Sequence, residues 1–231
     1  MTRRIVALGG GGMGGEANER MHRYLLDLTG RDHPRVLYIP TATGDDPDMI
    51  VAFYRWFPAD RTRRRHLTLF HRDIQDLADF VLDHDLIYVA GGNTANMLAV
   101  WRVQGMDTIL REAWERGIVL AGGSAGAICW FEAGITDSFG PTLAPLHDGL
   151  GFLEGSNCPH FDSEPQRRPT YLRCVSDGFP PGLAADDLAG LHFEGTELSE
   201  VVTAREGAQA YRVERAGGEA IEVPLEARFL G

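Results

Sequence analysis

Short apolar runs alternate with amphipathic stretches along most of the chain, separated by Gly or Pro, and this rhythm predicts repeated βαβ units. The runs Arg4 to Leu8, Arg35 to Ile39, His66 to Phe70, Leu86 to Ala90, Ile118 to Ala121 and Leu188 to Phe193 are strand candidates, most of them aliphatic or β-branched on successive residues. Strands covered on both faces have that composition, so a mostly parallel sheet follows. Between them, Glu16 to Leu28, Asp48 to Trp56, Ile74 to Asp83, Thr94 to Gln104, Met106 to Arg116 and Pro169 to Val175 repeat apolar residues at three and four, as helices lying on a sheet do. Beyond about residue 200 the pattern changes. Val201 to Ala204, Ala210 to Glu214 and Ala220 to Val223 are punctuated by Glu206-Gly207 and Gly217-Gly218, which predicts antiparallel hairpins at the C-terminus. No linker, repeat or low-complexity tract interrupts residues 1–231, so one α/β domain is expected.

Composition narrows the function. The 231 residues carry 22 basic and 33 acidic side chains, a net charge of −11, which opposes a nucleic-acid partner. The basic cluster of Arg61 and Arg63 to Arg65 reads as a solvated edge. Cys129, Cys158 and Cys174 are widely spaced with no C-x-x-C, so neither a disulfide framework nor a zinc site is suggested. No apolar run approaches a signal segment or membrane span, and a soluble cytoplasmic protein is expected.

Glycine is in excess, 28 residues where a usual share of roughly 7% would give far fewer. The excess is concentrated after strands: Gly9 to Gly12 with Gly14 and Gly15, then Gly91 and Gly92, then Gly122, Gly123 and Gly126. The carboxyl ends of parallel strands are where α/β proteins bind ligands, so the three clusters point at one crevice. The first contains a formal G-x-G-x-x-G, but the next strand ends in Tyr38-Ile39-Pro40-Thr41 where a ribose-binding acid should stand. A tight turn lining the site fits better than a nucleotide.

The third cluster is more specific. Gly122-Gly123-Ser124-Ala125-Gly126 lies between an apolar strand and an apolar helical run, the context of a nucleophile elbow. A Ser nucleophile requires a base and the base an orienting acid. His160, after a Gly-rich approach, is the candidate base, with His192 as competitor; Glu194, ending an apolar run, is the candidate acid, with Asp137 as runner-up. The second cluster ends a strand and opens a helix, leaving N–H groups free, so Gly92 and Ala125 are the expected oxyanion donors. Asn93 beside them caps the turn or meets substrate.

With these motifs in this order, the chain resembles the peptidase E family, serine peptidases that include aspartyl dipeptidase and, more distantly, cyanophycinase. The resemblance rests on the first glycine turn, Gly91 to Thr94, Gly123 to Ala127, Pro159 to Phe161, and Glu194 with Gly195. It implies a three-layer α/β/α, flavodoxin-like fold similar to class I glutamine amidotransferases. It also implies a Ser-His-Glu triad of Ser124, His160 and Glu194, with Gly92 and Ala125 as oxyanion donors and no metal or organic cofactor. In aspartyl dipeptidases an Arg after the His meets the substrate's aspartate; here Arg168 is the better match and Arg167 the neighbour. The implied activity is hydrolysis of short peptides, of Asp-X type where Arg168 faces the pocket. The alternatives are a cyanophycinase-like hydrolase and an amidotransferase-like binding module without turnover, and a homodimer is allowed.

Overall fold

The computed structural model describes residues 2–12, 14–57 and 59–231. Its first half is β1 (Arg4–Leu8), α1 (Glu16–Asp27), β2 (Arg35–Ile39), α2 (Pro47–Trp56), β3 (Arg63–His66), α3 (Leu77–Leu82), β4 (Leu86–Val89), α4 (Thr94–Gln104), α5 (Met106–Glu115) and β5 (Val119–Gly123). These five strands are parallel and lie in the spatial order β1, β5, β4, β2, β3. Alternation along each strand sorts the side chains into two cores. Ile5, Ala7, Leu37, Ile39, Ile87, Val89 and Leu120 face one side, with Met97, Trp101 and Leu110 of α4 and α5 upon them. Val6, Leu8, Val36, Tyr38, Tyr88 and Ala121 face the other, covered by Met21 and Leu25 of α1 and Phe53 of α2. Burial on both faces explains why these runs are continuously apolar. Side chains of Asp46, Asp76 and Asn93 cap α2, α3 and α4 by accepting from the backbone.

The second half contains α6 (Ala125–Ile128), β6 (Phe131–Thr136), β7 (Ala144–Leu146), β8 (Leu153–Cys158), α7 (Arg167–Ser176), β9 (Gly182–Ala185), β10 (Ala189–Glu194), β11 (Glu197–Thr203), β12 (Ala210–Ala216), β13 (Glu219–Pro224) and β14 (Ala227–Phe229). β10 joins the first sheet antiparallel to β1, with Leu8 opposite Gly190 and Arg4 opposite Glu194, and β11 and β14 extend that edge. The remaining strands form a second, six-stranded sheet in the order β13, β12, β9, β8, β6, β7. Phe131, Leu153 and Leu183 of that sheet share a core with Ala7 and Leu191 of the first, and α7 covers its other face with Tyr171 and Val175.

The α/β layering and mostly parallel central sheet match the expectation, and three details differ. The third strand is the basic segment Arg63–His66 rather than His66 to Phe70. On an edge strand alternate arginines face solvent, as edges favour, while Leu67 and Leu69 are buried beyond its end. Of the C-terminal segments, β11 makes an antiparallel hairpin with β10 and β12 one with β13, while the Glu206-Gly207 turn carries the chain from one sheet to the other instead of closing a hairpin. The short strands β6 to β9 and β14 had no signature in the hydrophobic pattern. Met13, within the formal G-x-G-x-x-G, lies outside the described residues. No helix among the described residues is long and apolar enough to cross a membrane.

Candidate active site

Ser124 links β5 to α6 with φ 56° and ψ −116°, a conformation that L side chains rarely adopt. Its main chain is fixed on both sides: the N–H donates to Leu8 O at 3.2 Å, and the carbonyl accepts from Ala127 and Ile128. A Cβ on Gly122 would lie 2.5 Å from Gly126 O, and one on Gly126 would lie 2.4 Å from Val89 O. The two flanking glycines are therefore required by close backbone approach, which is the steric condition for the elbow.

His160 follows β8 through Pro159. It too has a positive φ, 54°, and its N–H donates at 2.8 Å to the carbonyl of Gly9, the residue after the end of β1 and next to the anchor of Ser124. Its Nδ1 lies 2.7 Å from Asp187 Oδ1, in the loop that precedes β10. A carboxylate accepts there, so Nδ1 carries the proton and Nε2 is left as the acceptor nitrogen. Burial pushes the Asp187 carboxyl up, but donation from His160 and Ser163 and the charges of His160 and Arg205 outweigh it and hold the group below its ordinary value. The loop is further fixed by Asp162, whose Oδ1 accepts from the Asp187 N–H at 2.9 Å and whose Oδ2 pairs with Arg205 at 2.5 Å.

Ser124 and His160 line one cavity of about 250 Å³, together with Gly10, Gly11, Gly12, Gly91, Gly92 and a set of apolar side chains. Ala125 opens α6, and Gly92 stands where a Cβ would meet Ala42 O at 2.3 Å. Neither N–H donates to another backbone group among the described residues. No group of three or more His, Cys, Asp or Glu that could hold a metal ion occurs among the described residues.

Three expected residues lie elsewhere. Glu194 is opposite Arg4, at the far end of β1 from Leu8, and pairs with Arg4 at 3.5 Å. A strand's carboxyl end faces the site only if the strand is parallel to β1, and β10 is antiparallel, so its amino end carries the acid instead. Asp187 is thus the carboxylate on His160, and its signal in the sequence was an Asp pair immediately before an apolar strand. Asp137 is exposed beyond β6 and has no bond to His160. His192 is buried against α1, its Nδ1 2.6 Å from Tyr24 Oη.

The proposed substrate contacts are also occupied. Asn93 caps Asn96 N at 2.8 Å and donates Nδ2 to Ser138 O at 3.1 Å. Arg168 binds Glu222 of β13, with Nε to Oε2 at 3.0 Å, and lies over the rings of Phe161 and Tyr211. Arg167 is buried, bound to Glu164 at 2.5 Å and to Ile135 O at 2.7 Å. Neither arginine lines the cavity.

The chain is similar to several known proteins. The family model described as Peptidase family S51 matches residues 5–201. The chain is 48% identical to "Uncharacterized peptidase YgaJ" of Bacillus subtilis (strain 168), over 99% of this chain and 100% of that protein. Two solved structures share its fold: a peptidase from an acI-B1 Actinobacterium, with TM-score 0.68 and 20% identity over 98% of this chain and 95% of the other, and a putative peptidase E protein from Listeria monocytogenes EGD-e, with TM-score 0.59 and 16% identity over 98% and 100%. From the family match and the close curated relative, the chain belongs to peptidase family S51 and is a serine-type peptidase.

Proposed function

We propose that the protein hydrolyses short peptides through Ser124, His160 and Asp187, by way of an acyl-enzyme. The observation that carries this reading is the 2.7 Å bond from His160 Nδ1 to Asp187, made beside the cavity that Ser124 also lines. Asp187 fixes the imidazole so that Nε2 takes the proton from Ser124 Oγ as that oxygen attacks the scissile carbonyl carbon. The carbonyl electrons move onto oxygen, where the free N–H groups of Gly92 and Ala125 stabilise the charge. Collapse breaks the C–N bond, and the amine leaves with the proton from His160. Water then repeats the sequence on the ester, releasing the acid and regenerating Ser124.

Cavity size supports a short substrate. At about 250 Å³ it has room for one side chain beside the reacting bond. A fluorophosphonate probe tests the mechanism: it should label Ser124 in the wild type and fail to label Ser124→Ala or His160→Ala, with dipeptide hydrolysis lost in the same variants. Full hydrolysis by pure Ser124→Ala would overturn it.

A further inference from the structure

The side chains around Ser124 indicate which residue it would accept. Beyond Ser124 and His160, the cavity is walled by Leu8, Met21, Met49, Tyr88 and Leu188, with Asn18 as a neutral polar member. These come from four separate elements: Leu8 ends β1, Met21 is on α1, Met49 on α2 and Tyr88 on β4, with Leu188 in the loop before β10. Leu8, Met21 and Tyr88 are almost wholly buried. The wall is packed: a Cβ on Gly190 would lie 3.0 Å from Leu8 Cδ2 and 3.4 Å from Met21 Cε, and one on Gly11 would lie 2.6 Å from Leu188 Cγ.

No Lys or Arg lines the cavity among the described residues. Three guanidinium groups beside the His160 and Asp187 segments already have carboxylate partners: Arg167 on Glu164, Arg168 on Glu222, and Arg205, which also donates to Asp187 O, on Asp162. The Tyr88 phenol, pushed up to about 12 by burial, stays neutral. The charge that is present is negative, on Asp187 behind the imidazole. A substrate carboxylate placed here would lose its hydration with no cation to replace it, whereas an aliphatic or thioether side chain would gain contact with five apolar walls.

We propose that the residue donating the scissile carbonyl carries an uncharged apolar side chain, of the leucine or methionine class, held between Leu8, Met21, Met49, Tyr88 and Leu188. Aspartate is excluded at this position by the absence of a counter-charge. The inference rests on the serine-hydrolase reading above and assigns the substrate class of that same site.

Boronic acids in which B(OH)2 replaces the carboxyl group of leucine, methionine or aspartate test it without requiring turnover. Each forms a reversible tetrahedral adduct with the Ser oxygen, and its affinity is read as slowing of fluorophosphonate labelling of the full chain. The leucine and methionine analogues should protect at concentrations lower by roughly 100-fold or more than the aspartate analogue, as expected for an unpaired buried carboxylate. Equal protection, or better protection by the aspartate analogue, would overturn the assignment while leaving the serine mechanism intact. Absence of any Ser124 labelling would overturn the mechanism, and the assignment with it.

Discussion

Ser124 and His160 hang from neighbouring carbonyls of one strand end: the Ser124 N–H donates to Leu8 O at 3.2 Å and the His160 N–H to Gly9 O at 2.8 Å. The next carbonyl, Gly10 O, accepts from Leu188 N at 3.0 Å, which fixes the loop carrying Asp187. Three segments remote in sequence are thereby held in register on Leu8, Gly9 and Gly10. Preorganisation of this kind is inexpensive for the reaction, because the backbone is already ordered in the resting enzyme.

The identity of the acid can be checked by two substitutions. Asp187→Asn should lower kcat by about 10⁴, the scale seen when a triad carboxylate no longer sets the imidazole tautomer. Glu194→Gln should leave kcat and KM within about twofold. It removes only a half-exposed contact with Arg4, worth at most ~1 kcal/mol. Steady-state hydrolysis of a Leu-X dipeptide distinguishes the two, and equal loss in both would assign the acid wrongly.

Gly10 lies under His160 and Asp187. A Cβ there would come 2.2 Å from His160 Cε1 and 2.6 Å from Asp187 Oδ1, and its φ is +133°. Gly10→Ala should therefore displace the imidazole and cut kcat by at least roughly 100-fold, since small misplacements of a reacting group have effects of that size. Gly30→Ala is the control: its φ is also positive, +64°, but a Cβ there meets nothing within 4 Å and Gly30 does not line the cavity. It should cost about 1 kcal/mol of stability with kcat unchanged. Parallel kcat and thermal-unfolding measurements on the two variants separate active-site displacement from backbone strain.

The elbow was legible because its cause is local: two glycines and a Ser within five residues satisfy a steric condition that no distant contact changes. The helices were legible for the same reason, as in α5, where Met106, Leu110, Ala113 and Trp114 form one buried face. Strand direction has no such local cause. Whether Leu188 to Phe193 runs with or against β1 is decided by pairing between residues nearly 190 apart in sequence, and that choice puts Asp187 rather than Glu194 against His160. The second sheet was hidden differently. Its strands carry Gly134, Gly155 and Gly182 where another backbone approaches, so they lack the β-branched alternation that marks a strand. Arg168 was matched to substrate by resemblance alone, and its partner Glu222, 54 positions away, has no local signal in the sequence.

Arg168→Ala tests that reassignment. The side chain is half-exposed, paired with Glu222 and stacked over Phe161 and Tyr211, so its loss should cost about 1 kcal/mol. In a domain of this size that is a fall in Tm of roughly 2–4 °C. The ratio of kcat/KM for Leu-X over Asp-X should not change. A selective loss of Asp-X hydrolysis would instead return Arg168 to the substrate.

Stability should fall on mild acidification, for reasons centred on His22. This imidazole is 4% exposed and stacks on Phe57 at 4.4 Å. Burial lowers its pKa to about 4, against a smaller upward effect of its hydrogen bond to the Trp56 backbone. The unfolded chain therefore takes up a proton at His22 near the ordinary value of 6.5, whereas the folded chain does so only near 4. Between those limits the unfolded state binds more protons, so stability decreases as pH falls, by about 3 kcal/mol in all, and levels off below about 4. His84 and His192 are lowered for the same reason and add to the slope. Asp187 acts in a separate window. Its depressed pKa contributes stability above the unfolded value of 3.8, and that contribution is lost as pH falls through the folded one. His22→Phe keeps the ring stack and removes the proton site. In guanidinium unfolding at pH 7 and pH 4.5, the variant should lose about 2–3 kcal/mol less than the wild type between the two conditions. Asp187→Asn should leave that difference unchanged, and an equal slope in His22→Phe and wild type would show that His22 is not the group responsible.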